Sequence, residues 1–223
     1  MNEINIYNYI ENYNLHEETF FNFVTHLCKY FSSKFGVREC PIKIQELKPN
    51  AAVFGKIPPA EYCYDELPKN ETGNTTYGRC NESIKFSLEC SKETNKARIV
   101  KLAAHEWMHF YNALFKWEQL DSDEIKEEYK DLIIKSIHYN RDIWAKLKEK
   151  YDNKIYGCLK KLSVSEVVAD KHALSFLEEL YNNINDVNLK QQIQKQIENH
   201  NVQVSNYRKF LEHCNINEDC IVK

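Results

Sequence analysis

Phe20, Val24, Leu27, Phe31 and Phe35 recur every three or four positions through residues 16–35. That spacing lines up apolar side chains on one face of an α-helix, and Gly36 stands where such a helix can stop. From about residue 40 to 90 the rhythm shortens. Ile84, Phe86 and Leu88 alternate with Lys85 and Ser87, as a half-buried strand requires, and "AAVFGKI" is a second β-compatible run. Most of the chain's Pro and Gly lie between them, so this stretch reads as a small sheet, with Ile84 to Leu88 as an edge strand.

Helical spacing then returns. Ser91 or Thr94 can cap a helix running to about Leu120, with Ile99, Leu102, Ala103, Phe110 and Leu114 as its apolar positions. Tyr129, Leu132, Ile133, Ile137, Trp144 and Leu147 support another over 122–150, "LSVSEVVADKHALSFLEELY" a further one over 164–182, and a polar helix fits 187–213. The pattern predicts an α+β fold that is mostly helical. A small sheet lies next to the helix that ends near Leu120, with extra helices at the N-terminus, in an insertion over 116–162 and in a C-terminal extension over 187–223. No repeat or linker divides the chain, so residues 1–223 read as one domain.

Composition narrows the class. Hydrophobic residues at 43% are too many for a disordered chain, and a formal charge of −3 supplies no global attraction to nucleic acid or anionic lipid. Lys146, Lys148, Lys150, Lys160 and Lys161 alternate with acidic residues and make no basic stripe, which disfavours a nucleic-acid partner. The first twenty residues have acidic and Asn positions where an export signal needs basic and apolar ones, and no apolar run suits a bilayer. The expectation is a cytoplasmic protein without a membrane partner, whose eight Cys stay reduced. His213, Cys214 and Cys220 form a loose cluster near the C-terminus that reads as tail rather than as a second metal site.

The strongest chemical signal is "AAHEWMHFY" at 103–111. On a helix, His105 and His109 are one turn apart on one face and can aim imidazole nitrogens at a single ion, while Glu106 sits beside that face. In the H-E-x-x-H pattern the histidines hold Zn²⁺ and the glutamate takes a proton from water whose pKa the metal lowers to about 7. A catalytic zinc takes three protein ligands. Position 115, where a third histidine six residues on would fall, is Phe, and position 112 is Asn rather than Gly, so the metzincin arrangement is excluded. The next candidate is "SEVVAD": Glu166 and Asp170 are again four apart on a helix, so Glu166 can bind the metal while Asp170 accepts the free N–H of His105. Ser163 to Glu166 also reads as a capping box, which would turn Glu166 to its own helix end. His138 and His172 are the alternative third ligands.

"AAHEWMH" followed by "SEVVADKHALSFL" resembles the gluzincin type of zincin metallopeptidase, including the E-x-x-A helix of the ImmA/IrrE-like peptidases. "YGRCNESIKFSL" is similar to the approach to this helix in SprT-like domains. The likeness covers roughly residues 50–115 and 163–178. It implies a zincin-like core, one Zn²⁺ on His105, His109 and Glu166, Glu106 as general base, Asp170 behind His105, and a protein or peptide substrate. Two departures stand out: a long helical insertion between His109 and Glu166, and a Glu where SprT-like domains use a third His. The expected reaction is peptide hydrolysis, with the substrate lying along the Ile84–Leu88 strand. Tyr151, Tyr156, His138 and His172 are all able to donate to the developing oxyanion. The competing classes are a zincin-like binding module acting through partner contacts, an SprT-like protease working on DNA-associated proteins, and a toxin or effector protease acting in another cell.

Overall fold

The computed structural model describes residues 5–49, 56–66, 79–118 and 141–216. Its elements in chain order are α1 (Ile6–Asn12), α2 (Glu17–Phe35), β1 (Ile42–Gln45), β2 (Ala60–Glu66), β3 (Arg79–Ser87), α3 (Lys96–Glu118), α4 (Arg141–Lys150), α5 (Asn153–Lys161), α6 (Val164–Asn183) and α7 (Val187–His213). The described residues are mostly helical with one small sheet, as the periodicity predicts.

α2 ends where Gly36 takes a left-handed conformation at φ 68°, which a glycine adopts without the clash a Cβ would bring. Its buried residues Phe20, Phe23, Val24, Leu27 and Phe31 face the main core. α3 is the central element and is buried on almost every side over Ala97–Leu114. Neither Ser91 nor Thr94 caps it. Asn95 does, accepting from the Arg98 N–H at 2.9 Å, while Ser91 sits in a short 3₁₀ turn over Cys90–Lys92. α6 packs most extensively against α3. Ala103 and Ala104 on one and Ala169 and Ala173 on the other are fully buried, so little side-chain bulk separates the two backbones there.

The sheet corrects one expectation. Its order is β1-β3-β2, with β1 parallel and β2 antiparallel to β3. The strand through Ile84 and Phe86 is therefore the middle one, both side chains being fully buried, and the edge that packs on α3 belongs to β2. Period-2 alternation reports a half-buried face; it says nothing about which strands flank it. Residues 51–55 of "AAVFGKI", His138 and most of the helix expected over 122–150 lie outside the described residues. The described part of that helix is α4, which ends at Lys150 as expected; a further helix, α5, follows Tyr151 and Asp152, and the Asp152 side chain caps it.

α7 matches the expected helix, but it is no appendage. Glu11 Oε1 accepts from the Asn185 and Asp186 N–H groups at 2.6 and 2.5 Å and ties α1 to its start. Leu189 and Ile193 enter the main core, and Leu211 joins a second cluster with Trp144, Leu147, Tyr156, Leu159 and Leu162. No helix among the described residues is long and apolar enough to cross a membrane. Cys28, Cys40, Cys63, Cys90, Cys158 and Cys214 are free thiols.

Candidate metal centre

A buried contact on the far side of α3 orients its histidines. Trp107 points into the core against Phe31, Phe35 and Tyr111, and its Nε1–H donates to Ser32 Oγ at 3.0 Å. With Trp107 fixed inward, His105 and His109 turn towards α6. There the Nε2 atoms of the two histidines are 3.1 Å apart. Glu166 Oε1 lies 3.3 Å from His109 Nε2, and Glu166 Oε2 lies 3.6 Å from His105 Nε2. One ligand atom from each of the three residues falls within 4.8 Å of the others.

That spacing fits a metal ion. Tetrahedral zinc with ligand bonds of about 2.0–2.1 Å separates its ligand atoms by roughly 3.3 Å; the two Nε2 atoms are 3.1 Å apart, and each has a Glu166 oxygen at 3.3 or 3.6 Å, Oε1 for His109 and Oε2 for His105. Two imidazoles and a carboxylate also form a donor set suited to such an ion. The capping alternative for Glu166 does not hold. Ser163 is the N-cap of α6 without a side-chain cap bond, and the Glu166 carboxylate turns to the histidines and to Lys161.

Asp170, one turn beyond Glu166, places Oδ1 2.9 Å from His105 Nδ1. Donation from Nδ1–H leaves the His105 Nε2 lone pair facing His109 and Glu166. The electrostatics favour a cation here. Burial opposes charge on His105, yet Asp170 and Glu166 lift its pKa to about 10. Burial would raise Glu166, but Lys161 and the two histidines hold it well below the ordinary carboxylate value. Asp170 is likewise lowered against its burial by His105, His200 and Lys101.

Glu106 is held from the sheet. The Tyr62 N–H of edge strand β2 donates to Glu106 Oε2 at 2.7 Å. Its other oxygen has no hydrogen-bond partner among the described residues. The site opens into a cleft of about 310 Å³ between the start of β2, α3 and α7, and both His105 and Glu106 line it.

Several expected participants are elsewhere. His172 is buried among Phe31, Phe35 and Trp107 and belongs to the core, because α6 turns it about 100° per residue away from the Glu166/Asp170 face. Tyr156 is buried edge-on to Trp144 in the second cluster, and Tyr151 packs against the same cluster, so neither lines the cleft. His213 is exposed, Cys214 is half-buried, and Cys220 lies outside the described residues.

Four residues that the sequence did not assign to the site line the cleft instead. Lys101 is one turn before His105 on the same face, a spacing that was legible. Lys161 ends α5 and gives its Nζ to Glu166 Oε2 at 2.8 Å. His200 and Tyr207 come from α7, on whose polar surface no local pattern distinguishes them. Of the lysines weighed for nucleic acid, Lys161 thus turns inward, while Lys150 and Lys160 lie over the Tyr151 and Trp144 rings.

Comparison of the chain with protein-family models, with curated proteins and with solved structures returned no match.

Proposed function

We propose that the protein is a zinc metallopeptidase of gluzincin type, with His105, His109 and Glu166 as the metal ligands and Glu106 as general base. The observation that carries this reading is the convergence of the two Nε2 atoms, 3.1 Å apart, on the Glu166 carboxylate, with one ligand atom of each residue within 4.8 Å of the others and Glu106 on the adjoining cleft wall. Zinc bound there supplies Lewis acidity, which polarises a peptide carbonyl and lowers the pKa of water.

The chain's own residues do the rest. Asp170 fixes the His105 tautomer. Tyr62 N–H anchors one Glu106 oxygen, leaving the other to take a proton from the attacking water and then deliver it to the leaving amine. The peptide lies extended beside β2, the strand whose outward edge meets α3, rather than beside β3. Tyr207 and His200, both on the cleft wall, are this reading's candidate donors to the developing oxyanion.

The test is the Glu106→Gln variant beside wild type on unstructured protein substrates. Retained metal with cleavage lost supports the enzyme. Cleavage unaffected by the change, or absent from both proteins with zinc supplied, overturns it and favours a binding module.

A further inference from the structure

The cleft does not end at the metal group. Lys101, His105 and His109 are successive i, i+4 positions on α3, and Arg98 lies about one turn before Lys101, so two cations continue the line of the histidines. Arg98 is paired with Glu93 at the rim. Lys101 is different. It is half-buried, and its Nζ meets His200 Nδ1 at 3.4 Å. No carboxylate among the described residues lies within ion-pair distance of it. Asp170 faces the same space, but its Oδ1 is taken by His105, and its Oδ2 stands 3.8 Å from His200. Across the cleft, the Lys161 charge is already committed to Glu166. A half-buried ammonium beside an imidazole whose burial disfavours its charged form is incompletely compensated, and an anion entering the cleft gains that charge in a partly desolvated setting.

We propose that Lys101, supported by His200, binds a carboxylate of the substrate next to the bond presented to the metal group. One helical turn separates Lys101 from His105, about 5.4 Å along the axis, and an extended peptide advances about 3.3 Å per residue. The carboxylate therefore sits one or two residues from the scissile bond. It is either a free C-terminal carboxylate or an Asp or Glu side chain. This specificity rests on the metallopeptidase reading.

The test measures binding separately from turnover, on the full-length Glu106→Gln chain as purified. Calorimetric titrations use acetyl-Ala-Ala-Ala as free acid, the same peptide as C-terminal amide, and acetyl-Ala-Glu-Ala amide. One of the two acidic probes is expected to bind at least about tenfold tighter than the neutral amide, and which one does so identifies the source of the carboxylate. Adding Lys101→Met abolishes the preference, and Lys101→Arg, which keeps the charge, restores most of it. Equal binding of all three probes, or a preference that survives Lys101→Met, overturns the proposal. A preference that behaves as expected while the zinc-supplied wild type cleaves no peptide leaves the carboxylate site standing and removes the peptidase.

Discussion

The backbone N–H of Tyr62 donates to Glu106 Oε2 at 2.7 Å, so a strand edge rather than a side chain holds the carboxylate that the proposed mechanism needs. Because β2 pairs with β3 on its other side, this N–H faces away from the sheet and is free for the task. Proline lacks an N–H and is tolerated on an outward-facing edge position, which makes the restraint separable from the sheet. Tyr62→Ala and Tyr62→Pro lose the same ring, which packs edge-on to Phe110, and the same hydroxyl bond to Glu82. The proline variant alone loses the donor. Its kcat is expected to fall about tenfold below that of the alanine variant, from a lost hydrogen bond to a charged group. Equal kcat values would show that the bond does not position Glu106.

Asp170 acts through His105. Asp170→Asn keeps the shape of the residue but weakens the acceptor at His105 Nδ1. Zinc affinity, measured by competition with a chromophoric chelator, is expected to drop about 10–100-fold, with little change in helix content. Unchanged affinity would mean that the contact serves packing alone.

Lys161 competes for Glu166. Its ammonium bonds the same Oε2 that faces His105, and it adds positive charge beside a cation site. Lys161→Met is therefore expected to raise zinc affinity by about tenfold or more. A fall instead would show that Lys161 orients Glu166 for the metal rather than opposing it.

The metal-free chain carries a pH signature. His105 is raised from 6.5 to about 10, against its burial, by Asp170 and Glu166. A raised histidine adds stability that is complete below its unfolded pKa and is lost as pH climbs through the folded one. With chelator present, the unfolding temperature should decline between about pH 7 and about pH 9. Asp170→Asn should flatten that decline, and zinc should remove it by displacing the proton. A chelated wild type whose stability is level over this range would contradict the assigned His105 environment.

Much of this site was legible because its spacing is local. His105, His109, Glu166 and Asp170 are two i, i+4 pairs, and helical periodicity alone puts each pair on one face. That α3 and α6 bring those faces together depends on small residues at 103, 104, 169 and 173 and on Trp107 anchoring the opposite side, features that become meaningful once the helices are packed. The strand order was not legible. Alternation at Ile84–Leu88 is satisfied equally by an edge or a central strand, and the choice of edge depends on β1 and β2 pairing with it from distant parts of the chain. The role of α7 was hidden for a related reason. His200 and Tyr207 sit on a polar helix whose solvent-like composition conceals a wall of the cleft.

The central claim is a three-residue metal centre, and metal content tests it most directly. Wild type and Glu166→Ala, purified without an affinity metal column, would be compared by mass spectrometry before and after zinc is supplied. The expected result is about one zinc per wild-type chain and much less in the variant. Equal zinc in both would remove Glu166 from the ligand set, and no zinc in either, even when it is supplied, would contradict the centre itself.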